Sequence, residues 1–148
     1  MPPENVVNQS RVDSRDPSEV NDVYWLFARR RIEDRPQNPG NVGKWLIFVS
    51  PKHVNKVWAM IKDATEEGLL GCSAKVATGK PNSHTGKSKS HVICVYTVDY
   101  TDETDVRRVR EKLRELGITA KIPYKTDSDT LAGKYATRGE PPISSYFE

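Results

Sequence analysis

The fold of this chain is decided by the stretch Lys44–Val49, whose sequence is Lys-Trp-Leu-Ile-Phe-Val. After the lysine, five consecutive apolar residues leave both sides of an extended segment apolar, a pattern typical of a buried strand. A helix is predicted directly after it, because Ser50 can serve as its N-cap, Pro51 fits the first turn, and apolar residues recur at helical spacing up to Ile61. We place the end of this helix at Gly68.

The remaining periodic segments continue an alternation of strands and helices. Short apolar runs predict further strands at 72–78, 92–99 and 118–124. A second helix is predicted to begin at Thr101 or Asp102 and to end at Gly117, and the apolar cluster 24–27 forms a short strand or a docking turn. The order strand-helix-strand-strand-helix-strand predicts an α+β fold, with a mostly antiparallel sheet backed by helices on one face. The other face of the sheet would then be free for a ligand.

The ends and the bulk properties of the chain suggest its organisation. Residues 1–20 are polar and lack an apolar period, so we expect a mobile polar tail followed by a single α+β domain at 21–148. The absence of a signal peptide or membrane-spanning run favours a cytoplasmic or nuclear location without a membrane partner. We expect the protein to be a monomer. Cys72 and Cys94 are expected to be reduced core residues. Because no cluster of ligating side chains has metal spacing, neither a metal nor a cofactor is predicted.

Four lysines lie in or beside predicted strands or in a glycine turn, namely Lys44, Lys75, Lys125 and Lys134. A lysine in a strand-like run must either extend to water or meet an anion, because an unpaired buried charge is costly. If these lysines converge on one sheet face, they would hold a phosphate group, with the hydroxyl of Tyr96 donating a hydrogen bond. The alternative is that each lysine points to solvent at a strand edge, where it blocks aggregation.

Basic stretches and one tryptophan suggest a second kind of ligand. The stretches 28–35 and 79–89 are rich in arginine or lysine, and Trp25 is the one tryptophan that is not expected in the core. Trp25, Arg30 and Lys87 are therefore candidates for contacts with nucleic acid, the indole ring stacking on a base. Solubilising loops are the alternative explanation of the two basic stretches.

Several segments of the chain resemble the family of the basophilic-leukaemia-expressed protein. They are Lys44–Val49, Val57–Trp58, Gly68–Gly71, Ser73–Val76, Val92–Thr97 and Tyr124–Asp127. The resemblance implies the fold of the cap-binding translation initiation factor, which is a curved antiparallel sheet backed by helices. Family members are also similar to secreted bacterial effectors that are phosphothreonine lyases, which implies carbon–oxygen lyase chemistry.

The resemblance to the effectors implies a role for each matching residue. Lys75 matches the lysine that takes the α-proton, Lys44 matches a lysine that holds phosphate, and Tyr96 matches the phosphate-binding tyrosine. Lys125 and Lys134 fall where the effectors carry arginines. Because lysine lacks a planar guanidinium group, these two residues cannot form the bidentate phosphate contacts that arginine makes.

One element of the effector site is missing from this sequence. The acid histidine of the effectors stands two residues after the first lysine, and that position is Leu46 here. General acid catalysis contributes ~10²–10⁴-fold, so its loss argues against an efficient lyase unless His91 substitutes from a neighbouring strand. The sequence favours a module that binds a phosphate-bearing ligand, either a phosphopeptide or a nucleotide. The alternatives are an active carbon–oxygen lyase on phosphothreonine and a nucleotide- or RNA-binding module. Whether the chain is an enzyme stays open at this point.

Overall fold

The computed structural model describes residues 15–30, 41–80, 90–126 and 146–148. Their secondary structure consists of six strands and two α-helices, preceded by a 3₁₀ turn at Pro17–Glu19. The strands are β1 (Trp25–Arg29), β2 (Gly43–Val49), β3 (Ser73–Ala77), β4 (His91–Thr97), β5 (Pro123–Thr126) and β6 (Tyr146–Phe147). The helices are α1 (Pro51–Glu66) and α2 (Glu103–Glu115). No helix in these ranges is both long and apolar enough to cross a bilayer.

The six strands form one sheet in the order β1-β3-β4-β2-β5-β6, and every neighbouring pair is antiparallel. Apolar side chains of both helices join those of the strands in one core cluster, so the helices cover the same sheet face. The predicted α+β class, a mostly antiparallel sheet backed by helices on one face, is therefore confirmed. Of the two alternatives for the cluster 24–27, a short strand or a docking turn, the strand is observed, as β1 at one edge of the sheet.

Strand β2 lies inside the sheet, between β4 and β5. Successive side chains of a strand point to opposite sheet faces, and Trp45, Ile47 and Val49 of this strand join the core under the helices. The other side of β2 was predicted to be buried as well, and there the prediction holds only in part. Leu46 is buried, whereas Phe48 is 61% exposed. The reason is that neither described helix packs on this second face.

Each helix packs through its apolar stripe and starts where the sequence predicts, although Ser50 at the start of α1 makes no side-chain capping bond. Helix α1 buries Val54, Trp58 and Ile61 against the sheet, as its spacing predicts. Helix α2 begins after Asp102, whose carboxylate accepts a hydrogen bond from the backbone N–H of Asp105. It ends before Gly117, which has a φ of 105° that only glycine adopts without strain.

Trp45 joins the sheet to α2 at the centre of the core. Its indole Nε1–H donates to the backbone carbonyl of Val106, 3.1 Å away, and its ring packs edge-on against Tyr124 with centroids 5.1 Å apart. The hydroxyl of Tyr124 is 2.6 Å from Thr97 Oγ1. A Cβ atom at Gly43 would lie 2.1 Å from that hydroxyl, so the start of β2 requires glycine.

Arg110 fastens two segments that follow α2 in the chain. Its side chain is fully buried and donates hydrogen bonds to the backbone carbonyls of Ile118, Ala120 and Glu148 at 2.8–3.2 Å. The strand predicted at 118–124 is therefore only partly correct, since the observed strand β5 begins at Pro123. The carbonyl groups of Ile118 and Ala120 bind the guanidinium group instead of a neighbouring strand.

Residues 15–20 differ from the mobile tail to which the sequence assigns them. The backbone N–H of Ser18 donates to Asn55 Oδ1 on α1, and Asn55 Nδ2 donates back to Ser18 Oγ. Val20 is buried in the core, and its carbonyl accepts a hydrogen bond from the backbone N–H of Gly79. A few specific contacts thus dock this polar segment without the apolar period that would reveal it in the sequence.

We expect Arg110→Gln to lower the free energy of unfolding by roughly 2–3 kcal/mol, because three partly buried hydrogen bonds to backbone carbonyls lose their charged donor. Urea unfolding followed by tryptophan fluorescence measures the change. The matched control is Arg107→Gln on the same helix. Its half-exposed side chain makes surface ion pairs with Glu103 and Glu148 and a cation–π contact with Tyr146, but within the described residues it donates no hydrogen bond to a backbone carbonyl. That change should cost less than ~0.5 kcal/mol. Equal losses for the two variants would contradict the role assigned to Arg110.

Candidate functional site

The strand register collects the candidate lysines on the sheet face that points away from both helices. Lys44 of β2 lies opposite Tyr96 of β4 on one side and opposite Lys125 of β5 on the other. Tyr96 in turn lies opposite Ser73 of β3, and Ser73 lies opposite Arg29 of β1. One row of side chains thus crosses five strands. We call the sheet face that bears Lys44, Lys75, Tyr96 and Lys125 the lysine face.

A second row, two residues further along the strands, contains Lys75. This lysine lies opposite Phe27 on one side and opposite Cys94 on the other. Its ammonium nitrogen lies 4.0 Å from the ring centroid of Trp25, a cation–π distance, and 6.0 Å from that of Tyr96. The Tyr96 ring also has the ammonium nitrogen of Lys44 at 5.7 Å. Two ammonium groups therefore flank one aromatic ring.

The pKa of Lys125 is lowered by its surroundings on the lysine face. Burial lowers the pKa of this lysine from its ordinary value of 10.5, and the positive charge of Lys44 lowers it further, while Cys94 acts in the opposite direction. The sequences of the six described strands contain no aspartate or glutamate, so no strand carboxylate offsets these cations. Such a surface can attract an anion.

Exposed aromatic side chains surround the lysines. By register, Phe27 of β1 and Phe48 of β2 belong to the lysine face, and so does Phe147 of β6, which lies opposite Pro123. They are 48%, 61% and 61% exposed, respectively. Large exposed rings interleaved with cations are typical of surfaces that stack the bases of nucleotides.

These phenylalanines and Arg29 were not among the site residues predicted from the sequence. A signal for two of them was present, because Trp25, Phe27 and Arg29 alternate along one short strand and must share a face once that strand is recognised. Phe48 has the same relation to Lys44 in β2. Phe147 had no such signal, since its strand has only two residues.

The other predicted nucleic-acid contacts are distributed differently. Trp25 lies on the lysine face, in contact with Lys75. Arg30 continues β1 on the opposite face, where a Cβ atom at Gly68 would lie 3.6 Å from its Cδ atom. Arg30 therefore lies on a different face from Trp25, whereas the neighbouring Arg29 lies on the lysine face. Lys87 and Lys134 lie outside the described residues.

The two histidines within the described ranges, His53 and His91, both lie away from the lysine face. His91 is buried on the helix side of the sheet, opposite Val49, where its Nδ1–H donates to the carbonyl of Ala77 at 2.7 Å. The suggested substitution of His91 for the missing acid is thus wrong on geometric grounds. His53 lies on α1, where its ring nitrogen is 2.9 Å from Ser50 Oγ. The position that corresponds to the acid histidine of the effectors is Leu46, on the lysine face of β2. Within the described ranges, no group of side chains is arranged to hold a metal ion.

The chain is similar to known proteins in sequence and in fold. Residues 37–131 match the family model of the basophilic leukemia-expressed protein Bles03. Schistosome eIF4E, solved in complex with m7GpppA and 4E-BP, matches with a TM-score of 0.62 at 19% identity over 90% of this chain and 75% of that one. C. elegans eIF4E-3, solved with the 4E-binding protein Mextli and a cap analog, gives 0.52 at 20% identity, over 73% and 64%. The expected fold of the cap-binding initiation factor is therefore confirmed.

We expect Lys44→Gln to raise the pKa of Lys125, because the substitution removes the neighbouring positive charge that disfavours its protonated form. The pKa should stay below 10.5, since burial continues to oppose the charge. An NMR pH titration of the Lys125 side chain measures the shift. Lys52→Gln, the same change at an exposed position on α1, should leave the Lys125 pKa unaltered. No difference between the two variants would show that Lys44 and Lys125 do not interact on the lysine face.

Proposed function

This chain belongs to the basophilic leukemia-expressed protein Bles03 family, and we propose that it is a binding module for a phosphate-bearing nucleotide, held on the lysine face. The nucleotide is either free or the exposed part of an RNA strand. Its phosphates contact Lys44, Lys75 and Lys125, and its base stacks on the aromatic rings between them.

The observation that carries this proposal is the interleaving of rings and ammonium groups. Lys75 lies over Trp25, and Tyr96 lies between Lys44 and Lys75. A nucleotide combines a planar base with adjacent phosphates, so it can use both kinds of side chain together. A bare phosphate would use the lysines alone and would leave the rings exposed.

The similarity in fold to eIF4E proteins also supports the proposal. The schistosome and C. elegans proteins were solved with m7GpppA and with a cap analog, respectively, so this architecture accommodates nucleotides in other proteins. At 19–20% identity the similarity concerns the fold, and function depends on the residues of the site. The residues on the lysine face of this chain are therefore the stronger part of the argument.

Phosphothreonine elimination is the second candidate, and the geometry favours it less. Lys75 lies on the same sheet face as Lys44 and Lys125, as a base that acts next to a phosphate group would. The departing phosphate also needs a proton donor, and His53 and His91 both lie away from the lysine face. Without an acid the reaction loses ~10²–10⁴-fold. A phosphopeptide would also leave the exposed phenylalanines without a partner.

Titration of the ¹⁵N-labelled protein with GTP, a short single-stranded RNA, a phosphothreonine peptide and inorganic phosphate tests these readings of the site. We expect GTP and RNA to shift the signals of Lys44, Lys75, Tyr96 and Lys125, and to bind more tightly than the peptide or phosphate. Lys44→Gln and Lys75→Gln should each weaken GTP binding about tenfold, the value of one charged hydrogen bond. Lys52→Gln on α1 should not change it.

Two results would overturn the proposal. One is a preference for the phosphothreonine peptide with release of phosphate, which would favour the lyase. The other is the absence of shifts on the lysine face with all four probes, which would make the lysine pattern structural. RNA affinity that did not fall with rising salt would separately contradict phosphate contacts by these lysines.

A further inference from the structure

We propose that the lysine face selects against nucleotides whose base carries a positive charge, so that its ligand is an unmethylated nucleotide rather than an N7-methylated guanosine. The inference rests on the proposed function and specifies the ligand class of the same face. It separates this chain from schistosome eIF4E, which was solved with m7GpppA despite the shared fold.

The indole ring of Trp25 is already in a cation–π contact with the ammonium group of Lys75. The ammonium nitrogen of Lys75 lies 4.0 Å from the ring centroid, close to the face on which a base would stack. The electron-rich face of an indole attracts a positive charge, and here Lys75 provides that charge. A second cation on the base would compete for the same attraction and would be repelled by the ammonium group.

The Tyr96 ring gives the second, independent argument. The ammonium nitrogens of Lys44 and Lys75 lie 5.7 and 6.0 Å from its centroid, so a base stacked on Tyr96 would have two cations nearby. Burial and, to a smaller extent, the charge of Lys44 lower the pKa of Lys125, in agreement with repulsion between like charges on this face. A charged base would add to a repulsion that the lysines already experience.

A site that accepts a cationic base needs a negative charge to compensate it. The six described strands provide no carboxylate, and the lysine face carries Arg29 in addition to its lysines. A neutral base avoids this cost, because its phosphates satisfy the lysines while its ring stacks without added charge. The arrangement therefore favours nucleotides in which all the charge is on the phosphates.

GTP and m7GTP form a matched pair of probes, since they carry the same triphosphate and differ in the charge and the methyl group of the base. We expect the dissociation constant of GTP, measured by calorimetry on the wild-type protein, to be about tenfold lower than that of m7GTP. Lys75→Met removes the charge but keeps an unbranched side chain, and it should reduce this ratio to about threefold. Rising salt should also reduce the ratio in the wild-type protein, because charge repulsion is screened.

Lys80→Met is the control, because it removes an equivalent contact outside the lysine face. The ammonium nitrogen of Lys80 lies 4.5 Å from the ring centroid of Tyr24, beyond the ends of β3 and β1. This variant should keep the wild-type ratio. If Lys75→Met does not fold, the salt dependence of the wild-type ratio still tests the inference.

The outcomes distinguish this inference from the proposed function. If m7GTP binds as tightly as GTP or more tightly, the selection against charged bases is wrong while nucleotide binding stands. An unchanged ratio in folded Lys75→Met, or a ratio that does not respond to salt, also overturns the inference. If neither nucleotide binds, the proposed function itself fails.

Discussion

The packing of Trp45 against helix α2 is the interaction on which the rest of the structure depends. Its indole N–H bonds the backbone of Val106, its ring packs on Tyr124, and both contacts lie in the core under the helices. Because side chains alternate along a strand, fixing Trp45 toward the helices fixes Lys44 toward the other face. A slip of one residue in β2 would exchange the core for the lysine face. The stability of the core and the position of the candidate site are thus set by the same contact.

Arg110 extends this arrangement to the C-terminal strands. Its guanidinium group holds the segment after α2 and the last residue of the chain, so β5 and β6 are joined to the sheet next to β2. This placement brings Lys125 opposite Lys44. A buried, multiply bonded arginine is costly to desolvate, and here its donors replace the strand hydrogen bonds that residues 118–120 do not make. The charge therefore organises backbone that lacks regular structure.

The lysine face brings cationic and aromatic side chains close together. Partial burial lowers the pKa of Lys125, and the positive charge of Lys44 lowers it further, so the charged form of Lys125 is disfavoured on this face. A folded protein tolerates such a cost where a ligand relieves it, and perturbed titration in a cluster of cations is a common sign of a functional site. The rings of Trp25 and Tyr96, each beside a lysine, limit the kinds of anion that would fit well.

The sequence by itself determined the α+β class, both helices with their end signals, and the lysines and Tyr96 as candidates, since these follow from local periodicity and residue chemistry. The tertiary structure decided which residues meet. Arg29, Phe27 and Phe48 joined the lysine face through cross-strand register, whereas Arg30 and His91 were placed on the other side. Register depends on pairing between distant segments, and a shift of one residue reverses every side chain. For this reason the lysines and Tyr96 could be named as candidates from the sequence, but the side chains that share a face with them could not.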